Sequence, residues 1–475
     1  MADVVISHGT VVTMDSERRV IQDGHVAIEG DRIVSVGPQS SAPAGAGHVI
    51  DAAGHAVIPG FVNAHTHAVH NLMRGGLSDD RALYDWLLNV IIPGLSVYER
   101  DDIETAASLF CVEAIRAGIT TFVDNVETSP DRWDLLADTS LATYERFGLR
   151  AIYARMFYDY EPPDIADYLA AVELKGPSVR QPYEAFETTD EALARIDALI
   201  TKHHGRGDGR IQVWPSPGVA VMCSPEGLLG AKALARDHGT MLTLHLAESP
   251  FDRLQGGVSS VEFLNAIGFL GPDVLAGHCV QIDANDIRVL AAAGVKVSNN
   301  AASNMFLGSG IAPVSEMLTA GITVGIGTDD GNCNNTANML ADLKTVALAQ
   351  KARYQDATAI TAEKVLEMAT IDGAIAVGLG DLVGSLEVGK KADVVTVDLS
   401  GPHLTPLHSV PSALVYQALG TEVASVLVDG NVLMEHGKLS AMTELEETAL
   451  FGRAQEASED VMRRAHLEVS GVWGA

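Results

Sequence analysis

His65 and His67, in the stretch IPGFVNAHTH, place two imidazoles two residues apart. In a strand, positions i and i+2 share a face, so both rings aim at one point. Neutral imidazole is the commonest protein ligand for a metal near neutral pH. By itself an HxH pair is more often an ordinary surface or core pair than a site. Three further stretches have the same character. In LHLAES, His245 is followed three residues on by Glu248, a carboxylate suited to shuttling protons; a Glu that opens a helix looks the same. His278 stands in AGHCV, where a hydrogen-bonded buried histidine is the bland alternative. Asp329 stands in GIGTDDGNCNN, able to ligate a metal and to accept a proton from water. Its competing role is a helix N-cap, which Asp330 or Asn332 fills as well.

The elements that carry these residues give them weight. Through the middle of the chain, apolar runs alternate with helical patterns, the mark of repeated βα units. The runs are Ala56–Val62, Ile119–Asp124, Leu149–Met156, Ile211–Pro215, Met241–Leu246, Val274–Ala276, Val295–Val297 and Ile322–Gly327. Eight is the count of a closed (β/α)8 TIM-like barrel, whose sites form at the C-terminal ends of the strands. The four features fall at the ends of runs one, five, six and eight, in that order. Run four ends as VWPSP, without the lysine that bridges two metals in this fold, so a single metal is expected.

The two ends of the chain read differently. DVVISHGTVVTM near the start and EVASVLVDGNVLMEHGKL near the finish alternate β-branched residues with turns. The expected organisation is α/β: a small β-sandwich built jointly from residues 1–55 and 383–440, a barrel over 56–382, and a helical tail over 441–475. In that tail Leu445, Ala449, Ala457, Val461 and Ala465 form the expected buried stripe, for packing or assembly.

With 475 residues, 47% of them apolar, the chain buries a large core without staples. A formal charge of −30 argues against nucleic acid as a partner, since phosphates are repelled. No run of about 18 apolar residues appears, so no membrane span is expected, and MADVVISHGTVV does not read as a signal peptide. The four cysteines are scattered and form no CxxC pair. That fits reduced thiols in a cytoplasmic protein better than a disulfide framework or a zinc ribbon.

VIPGFVNAHTH, LYDWLLNVIIPG, EAIRAGITT, ARMFYD, LHLAES, LGSGIAPVSEM, VGIGTDDGNCN and VLEMATIDGA together resemble the amidohydrolase superfamily, in its mononuclear deaminase and chlorohydrolase branch. The resemblance covers nearly the whole chain. It implies that His65, His67, His245 and Asp329 ligate one divalent metal, Fe(II) or Zn(II). It implies that His278 is a fifth ligand or a partner of the metal's water, and that Glu248 is the general acid/base. The branch members that deaminate melamine carry Asp and Cys at the positions of Asp330 and Cys333, where its chlorohydrolases carry Asn and Ser. A departing amine needs a proton and chloride does not, so a carboxyl at Asp330, beside Glu248, favours C–N over C–Cl cleavage. Val69 and His70 depart from the branch, which often has Gln at position 70 to bind the heterocycle.

The expected reaction is hydrolytic deamination of a small N-heteroaromatic compound by water, in a homo-oligomer, a dimer or hexamer. Trp86, Leu83, Met156 and Phe157 are candidate apolar walls of the pocket, with plain core packing as the alternative. Asn304 is a candidate for orienting the ring, or a simple turn residue. Rival readings are triazine dechlorination, hydrolysis of a urea or carbamate bond, and a barrel without catalysis that only binds.

Overall fold

The computed structural model describes residues 2–127, 132–161, 186–254 and 257–469. Both chain ends feed one sheet. Its strands are β1 (Ala2–Val12), β2 (Val20–Glu29), β3 (Arg32–Pro38), β4 (Ala46–Asp51) and β5 (His55–Pro59) from the start. The C-terminal part supplies β15 (Val394–Asp398), β16 (Val423–Val428), β17 (Asn431–Glu435) and β18 (Lys438–Leu439). The order is β18-β17-β16-β15-β5-β1-β2-β3, with β4 beside β1. Ile6, Val11, Ile28, Val57, Val394 and Leu427 are among the buried residues of its separate core.

The second sheet holds β6 (Phe61–His67), β7 (Ile119–Val126), β8 (Arg150–Phe157), β9 (Ile211–Pro217), β10 (Leu242–Leu246), β11 (Val274–His278), β12 (Lys296–Asn299), β13 (Val324–Ile326) and the two-residue β14 (Asp329–Asp330). They run parallel in the order β10-β11-β12-β13-β6-β7-β8-β9, with β14 on β6. The two ends of that path meet: Val219 bridges His245 in parallel, and the His245 amide donates to Gly218 O at 3.0 Å. The sheet is the expected α/β barrel. On β8 the period of two is plain. Ile152 and Ala154 join the buried cluster of the lumen with Val123 and Trp214, while Tyr153 and Phe157 join the layer under the helices.

The first barrel strand departs from its expected bounds. Ala56–Val62 is two strands in two sheets: Ala56–Pro59 pairs with β15, and Phe61 begins the barrel. The switch falls at Pro59-Gly60. Proline ends the ladder, and a Cβ at Gly60 would lie 2.1 Å from the Thr120 side chain, so only glycine permits that approach. In the tail helix, Glu444–Ala465, the expected stripe holds at Val461 and Ala465 and in part at Ala457, but Leu445 and Ala449 are exposed. Glu447, Leu450, Ala454, Val461 and Ala465 are buried and Leu445 is 79% exposed. The helix packs on the helix Arg100–Arg116 and on the turn Ala68–Met73. Among the described residues no helix is long and apolar enough to cross a membrane.

Candidate metal centre and active site

His65 and His67 close β6, and β14 lies alongside, pairing Asp329 with Thr66 and Asp330 with His67. Side chains stitch this junction. Asn63 Nδ2 donates to Thr328 Oγ1 at 2.7 Å, the Thr328 amide donates to Asn63 Oδ1 at 2.9 Å, and Thr66 Oγ1 donates to Asp329 O at 2.8 Å. Asp329 therefore sits just beyond the eighth strand rather than at its end. It adopts a left-handed backbone, φ 61°, as does His278, φ 69°. Non-glycine residues held there store strain and gather at functional sites.

The donor atoms converge in two sets that share His65: one with His67 and His245, the other with His278 and Asp329. His65 Nε2 and His67 Nε2 lie 3.5 and 3.6 Å from Asp329 Oδ1, and His245 Nε2 lies 3.4 Å from His67 Nε2. Ligands of a tetrahedral site with bonds of about 2.1 Å are spaced roughly 3.4 Å apart. The outer ring nitrogens are braced from behind: Asn125 Nδ2 meets His65 Nδ1 at 2.9 Å, and His245 Nδ1 meets Gly218 O at 3.0 Å. Such bracing orients metal-binding imidazoles. His65 Nε2 is buried and has no hydrogen-bond partner among the described residues. Burial holds the pKa of His65 below its ordinary value, and those of His67 and His245 well below it, so these rings are neutral ligands. Burial alone would raise Asp329, but the neighbouring imidazoles outweigh it and keep the carboxylate ionised. The donor set fits one divalent cation. The His278 ring lies against this set, 3.8 Å from Asp329 Oδ2.

Glu248 faces His278, Oε2 to Nε2, at 3.5 Å. Burial raises its pKa, against the pull of His278. Asn304 Oδ1 is engaged by His278 Nδ1 at 2.8 Å, and so sits behind that ring. Asp330 accepts from His70 Nδ1 and, at 2.6 Å, from the Asn332 amide. Among the described residues no hydrogen bond or ion pair joins it to Glu248. His70 in turn stacks on His67, ring centroids 5.0 Å apart. Cys333 is buried, its Sγ 3.8 Å from Asp330 O.

The expected apolar walls divide. Met156 follows Ile152 and Ala154 on the lumen side of β8, whereas Phe157 points away under the helices. Leu83 is half-buried and packs with Tyr84, Leu88, Val221 and Met222. Trp86 donates from Nε1 to Asn332 Oδ1 at 2.5 Å, tying its helix to the Asp330 turn, and Val69 lies in the main core.

Sequence reasoning passed over the residues that hold this arrangement. Asn125 braces His65. Asp124, its pKa raised to about 6 by burial, accepts from the Ala68 amide at 2.9 Å and from Tyr144 at 2.7 Å. Asp252 accepts from the Glu248 and Ser249 amides, both at 2.8 Å, and from Tyr84 at 2.9 Å. The acidic and amide run FVDNVE at the end of a barrel strand was the available signal for Asp124 and Asn125.

The family model described as "Amidohydrolase family" matches residues 56–433. The chain is 37% identical to an S-triazine hydrolase of Gordonia rubripertincta, over 100% of this chain and 99% of the relative. It is also 37% identical to a 5'-deoxyadenosine deaminase of Methanosarcina mazei, over 98% and 100%. Among solved structures, an adenosine deaminase from Xanthomonas campestris with bound zinc superposes with a TM-score of 0.86 at 28% identity, covering 97% of this chain and 99% of that one. Atrazine chlorohydrolase from Arthrobacter aurescens complexed with zinc gives 0.84 at 25% identity, covering 96% and 100%.

Proposed function

The chain belongs to the amidohydrolase family, and from that premise we propose that it is a hydrolytic deaminase, replacing an exocyclic amino group of an N-heteroaromatic ring with hydroxyl. An aminated s-triazine or a purine-like ring is the substrate class, in keeping with the S-triazine hydrolase and 5'-deoxyadenosine deaminase that it resembles. The observation that carries the reading is the convergence of three imidazoles and Asp329, with a second carboxyl, Glu248, one histidine away.

His65, His67, His245 and Asp329 would hold the metal, with His278 as fifth ligand or as partner of the water. Bound there, Fe(II) or Zn(II) supplies Lewis acidity and brings the pKa of water towards neutrality. Glu248 gives its proton to the ring nitrogen next to the amino-bearing carbon, which makes that carbon electrophilic. Asp329 and His278 orient the attacking water and take its proton. The carbon becomes tetrahedral, Asp329 passes the water's proton on to the exocyclic nitrogen, the C–N bond breaks to release ammonia, and the proton of the new hydroxyl returns to Glu248, leaving the keto product. Asp330 acts through His70, fixing that ring beside His67, and not as a relay next to Glu248. Met156 and Leu83 wall the mouth. All four cysteines are buried free thiols, in keeping with a cytoplasmic enzyme. The proposed enzyme is a homo-oligomer, as the family resemblance implies.

Ammonia release from 2,4,6-triamino-1,3,5-triazine, 5'-deoxyadenosine and guanine tests the reading, with Glu248→Gln as the partner experiment. The wild-type protein is expected to deaminate at least one, and Glu248→Gln to lose roughly 10²–10⁴-fold in turnover while keeping its metal. Unchanged turnover in the variant, or no ammonia from any aminated ring, sinks the proposal.

A further inference from the structure

One carboxylate at the barrel mouth has no task in that chemistry. On β7, Val123 belongs to the lumen cluster and Asn125 reaches His65, so the odd-numbered side chains face inward. Glu127 is next in that alternation, one step nearer the rim. On β8 the same logic runs through Ile152, Ala154 and Met156 to Tyr158. The two rim residues meet: Tyr158 OH donates to Glu127 Oε2 at 3.3 Å. The Tyr158 ring lies against the backbone of Gly218, where a Cβ would come within 2.1 Å of it, and Gly218 O is the brace of His245. Tyr158 therefore packs against the backbone that braces His245, and Glu127 lies beside it at the rim.

Glu127 is only 9% exposed, and no lysine or arginine pairs with it among the described residues. Burial raises its pKa, while the His70 imidazole pulls it down. The surrounding wall is apolar, with Tyr84, Leu88, Val221 and Met222 buried beside Tyr158. A carboxylate buried in such company costs free energy unless something matches it. Among the described residues the Tyr158 hydroxyl donates to it and the His70 imidazole stands nearby, but no cation pairs with it, and the deamination chemistry supplies none.

We propose that Glu127, steadied by Tyr158, is a recognition point for the far end of the substrate, accepting a hydrogen bond from an N–H or O–H donor borne away from the C–N bond that breaks. The inference rests on the deaminase reading and narrows it. The preferred substrates are aminated heterocycles with a second donor, such as another amino group or a hydroxylated substituent. Rings decorated only with alkyl groups leave Glu127 unmatched and bind poorly, as sites built around a buried polar group reject ligands that lack its partner.

The test is calorimetric binding to zinc-loaded protein in a Glu248→Gln background, which prevents turnover. Two probe pairs are compared: 2,4,6-triamino-1,3,5-triazine against 2-amino-4,6-dimethyl-1,3,5-triazine, and 5'-deoxyadenosine against 9-methyladenine. In at least one pair the donor-bearing probe is expected to bind about tenfold tighter or more. Glu127→Leu should bring that pair within about threefold at unchanged zinc content. Tyr158→Phe should reduce the discrimination part of the way. Should Glu127→Leu not fold, Glu127→Gln takes its place, with the preference expected to fall. Absence of discrimination in both pairs, binding of none of the probes, or discrimination that survives at position 127 overturns the inference. Ammonia release by protein with Glu248 intact reports separately on the deaminase reading.

Discussion

The two ends of the barrel handle buried charge in opposite ways. At the foot, where β8 begins, Arg150 Nη2 meets Asp429 Oδ1 at 2.5 Å and Asp393 Oδ1 at 3.2 Å. Arg210 lies 3.4 Å from the other Asp429 oxygen, and Lys391 3.6 Å from the first. Cations and carboxylates alternate there and lock the terminal sheet to the barrel. At the mouth, Asp329, Glu248, Glu127, Asp252, Asp330 and Asp342 are all buried, and no lysine or arginine pairs with any of them among the described residues. Histidines and neutral donors, among them Tyr84, Tyr158, Asn334 and backbone amides, stand against them instead. Buried charge that the protein does not match is tolerated where something else will match it. The foot is built for cohesion, and the mouth for a cation and a proton-accepting ring that arrive from outside.

The sharpest way to break this contrast is to remove one buried polar side chain from each end. His245→Ala should abolish stoichiometric metal binding and turnover, yet leave the melting temperature of metal-free protein little changed, because among the described residues this neutral ring carries no ion pair of the fold and only one backbone hydrogen bond, to Gly218 O. A large loss of stability in metal-free protein would show that the mouth is structural too. At the foot, Arg150→Met leaves buried Asp393 without a cation among the described residues and Asp429 with only Arg210 and Lys391, and such losses cost about 3–5 kcal/mol. Denaturant unfolding should show that loss, and metal content of the folded fraction should be unaltered. A neutral result would mean that the ion network does not hold the two sheets together.

A smaller effect sharpens the picture at the mouth. Asp342 accepts from Asn334 at 2.9 Å, and burial lifts its pKa from 3.8 to about 8. The unfolded chain therefore loses this proton near pH 4, while the folded protein keeps it until about pH 8. Across that window ionisation of the unfolded chain opposes folding, and stability falls as pH rises. Asp342→Asn removes the penalty, so its melting temperature should gain on the wild type from pH 5 to pH 8. A gap that is constant with pH would show that the carboxyl is ionised in the fold.

Much of this was legible in the sequence, for reasons specific to particular residues. His65, His67, His245, His278 and Asp329 announce themselves because metal chemistry uses few side-chain types and the barrel puts them at strand ends. The break at Pro59-Gly60 was hidden, because Ala56–Ile58 and Phe61–Val62 have the same apolar strand character and only the tertiary pairing separates them. Asp252 and Asn125 were hidden for another reason. Their roles are hydrogen bonds to backbone amides and to the far side of an imidazole, which depend on loop paths that spacing does not encode. The tail helix offered two apolar faces, and packing on Arg100–Arg116 selected the one with Leu450 and Ala454 over the one with Leu445.

The most direct measurement is elemental analysis of the protein together with its melting temperature, before and after chelation. One equivalent of iron or zinc per chain, a melting temperature that drops on chelation and recovers when the metal returns, is what a mouth short of positive charge predicts. A chain that takes up no stoichiometric metal from a supplemented medium, and melts at the same temperature with or without chelator, contradicts it.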